Sequence, residues 1–80
     1  MSGERAILHV LNLQEPLMVR FSVMHIDVQS FVKNALTSRE VETILDRLEV
    51  KRQVVLIRSE EKELKAKITD AGKARLAEGE

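Results

Sequence analysis

The side chains with the most to offer chemically are cations on either side of one turn. Lys51, Arg52, Arg58, Lys62, Lys65 and Lys67 gather in the second half of the chain. Set along a strand-turn-strand segment, such heads can form a rim that faces phosphate oxygens. Just before them Ser38, Arg39, Thr43 and Arg47 lie in a stretch with helical spacing, and Arg39 and Thr43 are types that hydrogen-bond to base edges or to a nucleic-acid backbone. Glu42 and Asp46 share that helix face and repel phosphate, while Glu60, Glu61 and Glu63 stand at the tip of the turn and oppose deep entry into a negative groove. The competing reading is that these charges only solvate a helix and a hairpin.

Other chemistry finds little support. The sequence holds no nucleophile, base and orienting group at recognisable spacing, no glycine-rich phosphate loop and no HExxH metal motif. His9 and His25 each lack a second donor at ligand spacing, and Asp27 near His25 is one pair without a pocket. No catalytic, cofactor-binding or metal-ligating residue is expected, and the chain is expected not to be an enzyme. There is no cysteine for a disulfide or a thiolate site, and no Trp or Tyr. Phe21 and Phe31 alone cannot supply the stacking platforms that single-stranded bases need.

Lys and Arg together number 13, as do Asp and Glu, so no bulk charge draws the chain to nucleic acid or to an anionic membrane. An apolar fraction of 44% with 32% charged residues belongs to a folded domain. Eighty residues make one domain, residues 1–80, that buries only about 60% of its unfolded surface, so a second subunit would help to stabilise it. The N-terminus lacks the pattern of a secretory leader and no run is long enough to span a bilayer, which leads us to expect a soluble, cytoplasmic protein.

The elements that must position these charges are centred on residues 37–57. Thr37 and Glu40 have the spacing of a capping box, and Val41, Ile44, Leu45 and Leu48 make one apolar stripe, so a helix is expected over 38–48. The β-branched run Val54-Val55-Leu56-Ile57 predicts a strand over 53–58, and the alternation of Leu64, Ala66 and Ile68 with Lys65 and Lys67 predicts its hairpin partner. Thr69 can cap a last helix reaching about Ala77, in which Gly72 would permit close approach to the hairpin, followed by a frayed tail from Glu78. Upstream, a first helix is expected over 4–11, ended by Pro16. Residues 17–26 alternate as an edge strand would, although the same letters can be read as an apolar helix. If that strand is exposed, Met18, Phe21 and Met24 are candidates for a dimer contact. Asp27 would cap a second helix running to Ala35 or Leu36, with a tight turn at Thr37.

Residues 36–76 resemble the third helix, wing and following helix of MarR-like and related small bacterial, archaeal and phage transcriptional regulators. The matching positions are Val41, Leu45 and Leu48 in the helix, then Ile68-Thr69-Asp70-Ala71-Gly72 at the start of the next. Arg52 departs from the pattern, standing where such sequences often have glycine after Leu-Glu-x-Lys, and segment 17–26 is longer than the usual short strand. The resemblance implies an α+β winged helix-turn-helix, with three main helices, a β-hairpin wing and a short C-terminal helix. It also implies a sequence-specific binder of double-stranded DNA, acting as a homodimer by operator occupancy. The alternative is a winged-helix module that contacts a protein partner through the mixed-charge helix or segment 17–26.

Overall fold

Ser2 begins the first helix by accepting a hydrogen bond from the Arg5 amide at 3.3 Å, and α1 (Gly3–Gln14) follows. In this computed structural model, which describes residues 1–58 and 63–78, α1 runs a turn further than the expected 4–11. Glu15, restricted by the proline after it, is extended and closes the helix. Ala6, Ile7, Leu8, Val10 and Leu11 are buried, so α1 carries a broad apolar face through the middle of the core.

The chain then departs from the expected long strand. Only Val19–Arg20 is a strand, β1, and Phe21–Val28 forms helix α2, continued by a single 3-10 turn at Gln29–Phe31. The physical reason is two overlapping periods. Val19, Phe21 and Val23 alternate, but Phe21, Met24 and Val28 share a helical face. The helix buries Met24 and Val28 fully, whereas a continued strand would bury neither together with Val19. Met24 is therefore core and not a dimer contact. Asp27 lies in the last turn of α2 and caps nothing at its start, and the expected helix to Ala35 or Leu36 is replaced by an irregular connection over 32–37.

That connection is tied down by side chains. Gln29 accepts from the Leu36 amide at 2.8 Å and donates to the Leu36 carbonyl at 3.0 Å, satisfying both backbone groups of one residue as a neighbouring strand would. The ring of His25 bonds the same carbonyl through Nε2 at 3.1 Å, which requires the proton on that nitrogen. His9 packs edge-on against Phe31 with ring centroids 4.7 Å apart.

Helix α3 (Ser38–Val50) has both halves of its capping box, Glu40 amide to Thr37 Oγ1 at 3.1 Å and Thr37 amide to Glu40 Oε1 at 3.0 Å. Val41, Leu45 and Leu48 are fully buried and Ile44 half-buried. Its end explains the unusual arginine. The Gln53 amide donates to the Leu48 carbonyl and the Arg52 amide to that of Glu49, both at 2.9 Å, while Arg52 sits at φ 61°. This is a Schellman termination with a left-handed residue that glycine fills without strain.

Strands β2 (Val54–Arg58) and β3 (Leu64–Ile68) pair antiparallel with Leu56 opposite Ala66, and β1 joins the far side of β3, placing Val19 opposite Ala66 and Arg20 opposite Lys65. Val19, Val54, Leu64, Ala66 and Ile68 close the core from below α1. The expected turn at 59–63 falls mostly outside the described residues, as do Gly79 and Glu80. Helix α4 (Asp70–Glu78) takes in Glu78, where the tail was expected to start. Its start is locked as the sequence suggests: Thr69 Oγ1 accepts from the Gly72 amide at 3.2 Å and donates to the Arg52 carbonyl at 2.7 Å. A Cβ on Gly72 would lie 2.3 Å from the Gln53 carbonyl oxygen and 2.6 Å from Ile68 Cγ1, so close approach to the hairpin is real.

Candidate nucleic-acid interface

With Val41, Leu45 and Leu48 turned inward, α3 shows solvent two parallel rows of side chains. Arg39, Thr43 and Arg47 recur every fourth residue on one side and, with Thr37, Glu40 and Ile44, line a shallow depression. Glu42 and Asp46 form the second row, and Glu42 borders a hollow of about 280 Å³ shared with Phe21, Ser22, Arg58, Glu63 and Leu64. None of Arg39, Arg47, Glu42 and Asp46 joins an ion pair among the described residues. Thr43 donates its hydroxyl to the Arg39 carbonyl at 2.9 Å, which turns the oxygen back onto the helix. Ser38 is exposed in the first turn, and Val50 ends the same outward face at 83% exposure.

Of the six cations expected to form one rim, the five among the described residues divide into separate groups. Lys65 and Lys67 project from the outer face of the sheet beside the half-exposed Val55 and Ile57, since these alternate with the buried Leu64, Ala66 and Ile68. Arg20 stands across from Lys65 on that face. Sequence reasoning passed over Arg20 because its place beside Lys65 exists only once β1 pairs with β3, although its alternation with Val19 was a visible signal. Arg58 shares the opposite face with Leu64 and looks toward Glu42. Arg52 is exposed at the left-handed turn. Lys51 is drawn to Glu4 at 3.1 Å and is thereby tied to α1. Lys62 lies outside the described residues.

Glu4 organises a separate polar cluster. It receives Arg75 and Lys51, and Arg75 also donates to Gln53 Oε1 at 3.0 Å. The Arg75 hydrogen bond chiefly, with Lys51 behind it, holds the Glu4 carboxyl below the usual carboxylate range despite partial burial acting the other way. Arg5 donates to the Arg75 and Leu76 carbonyls at 3.1 and 3.2 Å, satisfying the end of α4. Lys73 pairs with Glu15, whose carboxylate raises the lysine's affinity for its proton. This side of the molecule joins α1 to α4, and among the described residues no three His, Asp or Glu side chains gather as they would around a metal ion.

The overall arrangement has a solved counterpart. The crystal structure of a MarR-family transcriptional regulator from Silicibacter pomeroyi superposes on 98% of this chain with a TM-score of 0.80, at 14% sequence identity. The fold is a winged helix-turn-helix. In that frame α3 is the second helix of the helix-turn-helix and β2–β3 is the wing, as residues 36–76 suggested. This winged helix spans 48% of the length of the regulator it matches. No protein-family model and no curated protein sequence matches the chain. No helix among the described residues is long and apolar enough to cross a membrane.

Proposed function

We propose that this winged helix is a sequence-specific double-stranded DNA-binding protein that regulates transcription by occupying an operator. The reading is carried by the Arg39–Thr43–Arg47 row: two guanidinium groups and a threonine, exposed and without ion-pair partners, on the helix that this fold presents to a groove. Lys65 and Lys67 on the outer face of the wing, with Arg20 across from Lys65 on β1, supply phosphate contacts, and Ser38, Arg52, Arg58 and Lys62 are further contacts. Lys51 contributes only on release from Glu4. The Silicibacter pomeroyi protein's description as a transcriptional regulator supports the same class of activity. A homodimer fits the small core, with Leu17 and Ile26, 66% and 69% exposed, as its apolar contact in place of Met24.

The test is fluorescence-anisotropy titration of genomic fragments and of random duplex. Binding should weaken steeply as salt is added, and no salt-dependent binding at micromolar protein would sink the reading. The second reading, a protein-interaction module, draws on the unpaired Glu42–Asp46 row and on half-buried Phe21 at its edge. Such a module would keep its partner after reversal of Lys65 and Lys67 and lose it on reversal of Glu42 and Asp46.

A further inference from the structure

Resting on the DNA reading, we infer that Arg39, Thr43 and Arg47 determine sequence preference, selecting a half-site with two guanines three to four base pairs apart and a thymine between them. Arg39 and Arg47 are eight residues apart on one side of α3, so their Cα atoms are separated by about 12 Å along the axis. A helix lying along the major groove would bring them to base pairs about 3.4 Å × 3 to 4 apart. Neither guanidinium is held by a carboxylate among the described residues, so each keeps its fork of donors for the O6 and N7 acceptors of guanine.

Thr43 stands midway, and its hydroxyl proton is already given to the Arg39 carbonyl. The methyl group is then the part of the side chain left for a partner, and the base atom that welcomes a methyl in the major groove is the C5-methyl of thymine. The second row adds to the choice. Glu42 and Asp46 are acceptors only, and the cytosine amino group is the donor that a G·C pair presents beside its guanine. Carboxylates that would weaken contact with phosphate thus favour the same G·C pairs that the arginines read.

The experiment selects from a duplex pool with a randomised core, using the full chain and the variants R39A, R47A, T43S and T43V. Every substituted side chain is exposed, and thermal unfolding followed by circular dichroism confirms that each variant folds. Two guanines at the stated spacing should be enriched, R39A should lose preference for one and R47A for the other by about 10- to 100-fold, and binding to mismatched duplex should change little. T43V, which keeps the methyl, should retain the thymine preference, and T43S should lose it. Equal weakening on all sequences in R39A and R47A would overturn the inference by assigning both arginines to phosphates. A thymine preference kept by T43S and lost by T43V would overturn the methyl contact. Salt-dependent binding without the guanine pattern refutes this inference alone, whereas absence of any duplex binding refutes the proposed function with it.

Discussion

The two sides of this small domain treat their charges in opposite ways. Along α1 and α4, Glu4, Arg5, Glu15, Lys51, Lys73 and Arg75 bond to one another or to helix-end carbonyls, across separations of up to 71 residues. Along α3 and the outer face of the sheet, Arg39, Arg47, Glu42, Asp46, Lys65 and Lys67 take part in no ion pair among the described residues. Net charge conceals this division. The 13 cations and 13 anions cancel on paper, but Glu4, Glu15 and Asp70 are paired with Lys51, Lys73 and Arg75 in the α1–α4 cluster, while the charges on α3 and the outer face of the sheet are sorted into rows. A neutral chain can therefore carry locally sorted charge, and under the proposed function the row on α3 is the part of it that would face a groove.

If the division is real, changes on one side alter stability and changes on the other alter binding. The largest effect belongs to the junction that supports the committed side. Gly72→Ala would place its Cβ against the Gln53 carbonyl and Ile68, and should lower stability by about 3 kcal/mol in chemical denaturation. Next, K65E/K67E should weaken duplex binding roughly 100-fold at low salt while leaving the denaturation midpoint nearly unchanged. A large stability loss in that double variant would break the comparison.

Smaller effects sharpen it. Glu4→Gln should cost about 1 kcal/mol at neutral pH without weakening duplex binding, since it frees Lys51 for a phosphate. Because the folded Glu4 carboxyl titrates below its unfolded value, its contribution is complete above the ordinary carboxylate range and disappears as pH falls through the lowered value. The wild-type and Glu4→Gln stability curves should therefore converge on the acid side, and parallel curves would contradict the role given to Arg75. Smallest is Arg52→Gly, which relieves the left-handed backbone and should raise stability by about 0.5–1 kcal/mol. The same change should reduce duplex affinity severalfold if Arg52 contacts the backbone of DNA, so gain in one measurement and loss in the other would explain why an arginine occupies a glycine's place.

The parts of this fold legible in the sequence are those whose signals are local. Thr37 and Glu40 specify a capping box within four residues, the stripe from Val41 to Leu48 orients α3 without outside help, and Leu64, Ala66 and Ile68 state which face of β3 is inward. Gly72 was legible because Thr69 and Asp70 fix where its helix begins. Residues 17–36 were not, since two periods coexist there and the choice depends on α1, which buries Met24 and Val28, and on β3, which supplies a partner to Val19 and Arg20. Nothing within 29–36 announces that a glutamine amide will stand in for a strand at Leu36. The site was half legible for the same reason. The row on α3 follows from helical spacing, but the rim divides by the parity of strand positions and by the capture of Lys51 by Glu4, 47 residues away.

The placing of β3 between β1 and β2 governs the order in which the chain can assemble. Both outer strands precede their shared partner, so a ribosome that has released residues 1–58 has delivered two strands with nothing to bind and a hydrophobic run, Val54–Arg58, whose inner face is bare. Closure waits for Leu64–Ile68, after which β1, β2 and α4 can be fixed almost together. Nascent chains arrested before Leu64 should then be captured by holdase chaperones and cut readily by protease, and protection should arrive in a single step once β3 and α4 have emerged.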